Sequence, residues 1–266
     1  MSEHGPDVNR ATWDVWAAAH GQDAYYDSAG LVAGADSLSE VERAGVAAAV
    51  GDVAGRDVLH VQCHIGFDAI SLARRGARVT GVDFSPVALD KARDLARRCG
   101  VAVEFVEGDS MRLPASLHGR FDLAYATIGI LCWIPDTAAW MRSVAATLRP
   151  GGRLLLIDGH PLYQMTESVD PLVLDFPYVN DGPHAYTGTG SYAVETGPTT
   201  SVQYGHSLGE IVTAAVEAGL RIQRLDEHLD SPTDLGHGTA PDADGRHRFR
   251  IDGQSLPLLY TLIAER

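Results

Sequence analysis

Cysteine, positive charge and long apolar runs are all scarce in this 266-residue chain. Its three cysteines, Cys63, Cys99 and Cys132, are odd in number, widely spaced and form no CxxC pair. That argues against a disulfide framework or a zinc-thiolate site, and the thiols read as reduced. Lysine and arginine total 21 against 35 acidic residues, a formal net charge of −14. Such a balance opposes the attraction that nucleic acid or an anionic membrane would reward, so neither is an expected partner. No apolar run approaches the roughly 18 residues of a membrane span, and the N-terminal stretch is too polar for a signal-peptide core. A soluble, cytoplasmic protein is expected. Internal repeats and low-complexity tracts are also missing.

Strand and helix patterns alternate along much of the chain. Residues 8–50 read as helical, the second helix opening at Asp36/Ser37 with Leu38, Val41, Val46 and Val50 on its apolar face. A strand over 57–62 follows, then a short helix closed by Gly76, a strand ending at Asp83, and a helix started by Ser85-Pro86. Further strands are expected in VAVEFVEGDS, FDLAYATIGI and RLLLIDGH, with a helix ending at Arg149-Pro150 before the last of these. This rhythm implies a parallel sheet covered by helices on both faces. It breaks between Gly159 and Gly205, a stretch without periodicity that reads as a lid or binding insertion. HSLGEIVTAAVEAGL, RIQRLDE and LPLLYTLIAE then restore a helix and two strands, separated by a polar loop long enough for a hairpin or flap.

Open parallel sheets bind ligands beyond the carboxyl ends of their strands. The first such end reads VLHVQCHIG, an apolar strand running into a turn with one glycine, Gly66, where nucleotide-binding turns usually carry three. The following helix N-terminus offers free N–H groups to a carboxylate-bearing ligand. Asp83, at the second strand end, can accept hydrogen bonds from ribose hydroxyls, since Ser85 already fills the cap position. Asp109 and Ser110 end the third strand within reach of a purine edge, and Thr127 ends the fourth.

The order VLHVQCHIG, VTGVDFSP, VEFVEGDSMRLP, FDLAYATIGILCW, LRPGGRLLLID resembles the class I S-adenosylmethionine-dependent methyltransferases over about 100 residues, and the QCHxG text is similar to a subgroup of them. The resemblance implies a Rossmann-like α/β fold of seven strands, mostly parallel with an antiparallel last strand. It also implies an N-terminal helical lid (1–50), a cofactor-binding core (51–158), a substrate-binding insertion after the fifth strand (159–206) and the remaining sheet (207–266). S-adenosylmethionine is the implied cofactor, with S-adenosylhomocysteine as product, and no metal. Carried over by position, Gln62, His64 and Gly66 wrap the methionine end, Asp83 takes the ribose, Phe84 and Met111 flank the adenine, Asp109 with Ser110 reads its amino edge, and Thr127 lies beside the reacting centre. His60 stands where the family usually carries an acidic residue, while Gln62 and His64 replace two glycines. A nicotinamide dehydrogenase would need bare glycines there for its pyrophosphate.

The implied reaction moves a methyl group to an O or N atom, less readily C, of a small molecule, with secondary metabolism as the expected setting. The alternative is a protein of this fold acting as a cyclase, decarboxylase or binding module. His20, Tyr25, Tyr26, Trp133, Tyr163 and Tyr178 are candidate substrate contacts lying outside the sheet. His160, after the fifth strand, and His206, after the insertion, are candidate general bases; the competing reading of His160 is an ordinary turn histidine before Pro161. His228, His237 and His247 with Asp234, Asp242 and Asp244 match no ligand spacing and read as a solvated loop.

Overall fold

A computed structural model of the protein describes residues 5–21, 23, 25–169, 171–231, 234 and 240–266. Three helices come first: α1 (Gly5–Ala19), α2 (Ser28–Val32) and α3 (Glu40–Val50). The third starts later than the expected Asp36/Ser37 because a stronger cap lies downstream. The Ser39 hydroxyl accepts the Glu42 N–H at 3.3 Å while the Glu42 carboxylate accepts the Ser39 N–H at 2.6 Å, a reciprocal capping box. Ser37 turns instead to Asp68 and Ser71, at 2.6 and 2.8 Å.

The alternating section contains β1 (Asp57–Val61), α4 (Phe67–Arg74), β2 (Arg78–Asp83), α5 (Pro86–Arg98), β3 (Val103–Glu107), β4 (Phe121–Thr127), α6 (Thr137–Thr147) and β5 (Leu148–Gly159). After the short α7 (Pro161–Gln164), the chain leaves the sheet for two hairpins, β6 (Thr166–Val169) with β7 (Leu172–Leu174) and β8 (His184–Gly190) with β9 (Glu195–Gln203). It returns through α8 (Leu208–Glu217), β10 (Arg221–His228), a small hairpin of β11 (Phe249–Ile251) and β12 (Gln254–Leu256), and β13 (Leu259–Glu265). The stretch without periodicity is therefore largely hairpin.

Seven strands form one sheet in the order β10-β13-β5-β4-β1-β2-β3. β13 runs antiparallel to both neighbours, and every other pair is parallel. Strand order reverses between β4 and β1, which places the ligand crevice above that junction and the β1 loop at its edge. The central strands are apolar because both faces are covered: Leu123 to Ala126 and Leu154 to Ile157 are fully buried. Trp140, Met141 and Val144 of α6 and Ile211 of α8 cover one face, while Val46 and Ala49 of α3 and Leu72 of α4 cover the other. Edge strand β3 carries Glu104 and Glu107 facing solvent, which discourages pairing with another chain. All three cysteines are free, and no described helix is long and apolar enough to cross a membrane.

Candidate active site

The β1 loop adopts left-handed backbone at Gln62 (φ 56), His64 (φ 48) and Gly66 (φ 80). Two of these conformations are held by residues for which they are unfavourable, so neighbouring bonds must fix them. The Gln62 amide accepts the Trp140 indole N–H at 2.9 Å and donates to the Ile130 carbonyl at 3.3 Å. The His64 N–H donates to the Asp83 carboxylate at 2.8 Å, and the Ser85 N–H donates to its other oxygen at 2.9 Å. Burial pushes the Asp83 carboxyl up to about 6 against these bonds. Asp83 is thus the strut beneath the loop. Gly66 is tightly enclosed: a Cβ there would lie 2.9 Å from Ala92 Cβ and 3.0 Å from Phe105 Cζ.

His60 does not replace an acidic ligand group. Its ring is sealed inside the protein, edge-on to Tyr125 at 5.0 Å, with Nδ1 unpaired. Burial drives its pKa down to about 3, so it is neutral.

A cavity of about 550 Å³ opens beside the ends of β1, β2 and β3. Gln62, Phe84, Asp109, Ser110, Met111 and Trp133 all line it, six side chains singled out from sequence. Asp109 accepts the Met111 N–H at 2.9 Å, an N-cap that turns the chain and leaves Met111 against the cavity wall. Asn9 and Arg10 of α1 complete the lining from above, so the N-terminal helix is its roof. His64, Gly66, Asp83 and Thr127 shape the surrounding framework and do not line this cavity. The Thr127 hydroxyl lies 3.5 Å from Asp68 on α4.

An aromatic cluster adjoins the loop. Trp13 meets Trp16, Trp133 and His64 with ring centroids 5.1–5.3 Å apart. Tyr26 lies 5.4 Å from His64 and 5.0 Å from Tyr25, and its hydroxyl bonds that of Tyr192 in the β8–β9 turn. His20 bridges these parts: Nδ1 lies 2.8 Å from His64 Nε2, and Nε2 lies 2.7 Å from the Ser191 hydroxyl. Burial lowers the His20 pKa to about 4 and takes His64 well below its usual value, so both rings are neutral at pH 7.

His20, Tyr25, Tyr26 and Trp133 therefore share one aromatic cluster beside the loop, and Tyr163 and Tyr178 do not join them. Tyr163 packs against Phe249 in a separate core cluster, and Tyr178 is exposed in the insertion. Ser191, Tyr192 and Trp16 were not anticipated. Trp16 follows Trp13 at helical spacing and so lies on the same face, a usable signal; the other two belong to a hairpin with no periodic signature.

Both candidate bases are committed to structural bonds. His160 caps α7, its Nδ1 accepting the Leu162 N–H at 3.2 Å, which leaves Nε2–H to bond Glu227 at 2.9 Å. His206 Nε2 donates to the Ile134 carbonyl at 2.7 Å while Nδ1 meets the Thr137 hydroxyl at 2.8 Å. Neither lines the cavity. A buried acidic pair lies below Thr127: Tyr125 bonds Glu42 at 3.0 Å and Asp68 at 3.4 Å. Burial first, then Asp68, pushes the Glu42 carboxyl up to about 7. In the polar loop, Asp242 and Asp244 pair with Arg248 and His228 bonds Thr261, whereas His237 lies outside the described residues.

Residues 58–152 match the family model described as a methyltransferase domain. The chain is 37% identical over 110 residues to a ubiquinone biosynthesis O-methyltransferase of Alkalilimnicola ehrlichii, covering 41% of this chain and 44% of that one. A namesake from Xanthomonas axonopodis pv. citri is 38% identical over 103 residues, covering 39% and 43%. The chain thus spans less than half the length of these curated relatives. Among solved structures, an S-adenosylmethionine-dependent methyltransferase from Mesorhizobium loti superposes with a TM-score of 0.60 at 22% identity, covering 88% of this chain and all of that one. Magnesium protoporphyrin IX methyltransferase from Synechocystis, solved with bound S-adenosylhomocysteine, superposes at 0.52 and 18% identity, covering 91% and 93%.

Proposed function

The fold is that of the class I S-adenosylmethionine-dependent methyltransferases, and from that premise we propose that the protein is one of these enzymes, moving a methyl group to an O or N atom of a small molecule. One observation carries the reading: the cavity at the β1–β3 ends joins an apolar pair, Phe84 and Met111, to the polar edge of Asp109 and Ser110. A flat purine needs that combination. Asp83 retains acceptor capacity for ribose hydroxyls beyond its two backbone bonds, because a carboxylate accepts about four hydrogen bonds. We assign the amino-acid end to Gln62, which lines the same cavity, and to His64 on the adjoining turn, while Gly66 permits the close turn. When bound, S-adenosylmethionine supplies an electrophilic methyl group on a sulfonium.

The chain's own residues then have to align the acceptor and exclude water, the main requirements of an in-line displacement. Trp13 and Trp133 close the loop side, while His20, Tyr25 and Tyr26 form the acceptor side with Tyr192. Their π faces tolerate a cation. His160 and His206 serve this arrangement from the scaffold, through the bonds they already make. The test is turnover: methyl-labelled S-adenosylmethionine with a panel of small phenols, alcohols and amines should give S-adenosylhomocysteine and a labelled product. Cofactor binding without transfer to any member would favour a non-methylating role for the fold.

A further inference from the structure

The chain Ser191–His20–His64 has a direction, fixed by counting donors. The Ser191 hydroxyl accepts the N–H groups of Ala193 at 3.2 Å and Val194 at 3.3 Å. With both lone pairs used, its one hydrogen goes to His20 Nε2, 2.7 Å away. Neutral His20 then carries its proton on Nδ1 and donates it to His64 Nε2 at 2.8 Å. Neutral His64 must in turn carry its proton on Nδ1, the ring atom with no hydrogen-bond partner among the described residues, in a half-buried side chain.

We propose that Ser191 and His20 are positioning residues of a one-way hydrogen-bond relay, and that the relay presents His64 Nδ1–H as a donor to the carboxylate at the amino-acid end of the adenosyl cofactor. The proposal rests on the cofactor reading above and adds a site to it. A left-handed position that glycine would fill with bare backbone is occupied here by a side chain whose tautomer is set from the β8–β9 hairpin. The relay excludes His64 as a general base in the resting protein, because its Nδ1 already holds the proton and its Nε2 is engaged. It also ties the N-terminal helix and the hairpin to the cofactor loop through one bonded chain.

Long-range ¹H–¹⁵N correlation spectra of the free protein test the direction. His64 should show a protonated Nδ1 and an unprotonated Nε2, and Ser191→Ala should shift His20 and His64 toward the opposite tautomers. Calorimetry tests the ligand, comparing S-adenosylhomocysteine with 5′-methylthioadenosine, which lacks the amino-acid end. His64→Gly, which suits the backbone at φ 48 and so preserves the loop, should weaken the first about tenfold or more and leave the second unchanged. Ser191→Ala should act in the same sense, with Ser191→Thr restoring the affinity. A protonated His64 Nε2 in the free wild type, or equal effects of His64→Gly on both ligands, would overturn the proposal. If the wild type binds neither ligand, the cofactor reading falls, while the His64 tautomer still decides the relay's direction.

Discussion

Gln62 and His64 keep a backbone that glycine adopts freely, at a cost of about 1 kcal/mol each. Trp140, Ile130 and Asp83 offset it through bonds to this loop. Gly66 has no such latitude, since a Cβ would press on Ala92 and Phe105 while φ stays at +80. Gly66→Ala is therefore expected to lower stability by about 2–4 kcal/mol and to abolish ligand binding at the loop; urea unfolding of the variant measures the first effect and calorimetry the second. Asp109 was placed at the cavity by its strand end, whereas Phe84 and Met111, which line the same cavity, came from the family resemblance alone. His60 was not legible in the sequence, since its strand position alone does not reveal a sealed ring packed on Tyr125. Ser191 was invisible for another reason: it meets His20 across 171 residues of chain, through a hairpin that sequence periodicity does not announce.

The roof over the cavity is held by an amide that imitates a strand. Asn9 on α1 donates to the Val202 carbonyl at 2.8 Å and accepts its N–H at 2.7 Å, both buried. Thr12 adds a bond to the Thr200 carbonyl at 2.5 Å and Trp16 one to the Thr199 hydroxyl at 3.2 Å. At the other end, Lys91 of α5 donates to the carbonyls of Ala18 and His20, both at 2.6 Å, closing the helix terminus. Asn9→Ala strands a backbone donor and acceptor, so about 2–3 kcal/mol should be lost and α1 should open locally. Faster hydrogen exchange in α1 and β9 than in the central strands would bear this out; unchanged protection would contradict the stitching role. The helices were readable from their apolar spacing, whereas their exact starts depended on competition between caps, as Ser39 with Glu42 displacing Ser37 illustrates.

Across the whole molecule, burial sets the response to pH. The Glu42 carboxyl is pushed up from 4.5 to about 7, so the folded state holds its proton more tightly than the unfolded chain does. That contribution is complete below about pH 4.5 and is lost as pH rises through 7. Asp83, raised from 3.8 to about 6, acts in the same sense at lower pH. The buried neutral histidines oppose both: His20, lowered from 6.5 to about 4, stabilises the fold above 6.5 and loses that contribution as pH falls toward 4. A difference measurement separates them. Glu42→Gln can keep the Ser39 and Tyr125 bonds, and relative to wild type it should gain about 2 kcal/mol between pH 5 and 8 in urea unfolding; a constant difference across that range would contradict the assignment.

At this scale the sequence was most legible. Strand-helix alternation and the turn residues around Asp83, Asp109 and Arg149 sufficed for the parallel part of the sheet, because crossovers share one hand, whereas its seven strands and antiparallel last strand came from the family resemblance. The acceptor side depends on long-range contacts between Tyr25, Tyr26 and Tyr192, which no local pattern encodes. The central claim, an adenosyl cofactor held at the β1–β3 ends, is tested most directly by titrating the protein calorimetrically with S-adenosylhomocysteine and, separately, with NAD. Saturable binding of the first at micromolar concentration with none of the second is the predicted result; no binding of S-adenosylhomocysteine at millimolar concentration, or tighter binding of NAD, would contradict it.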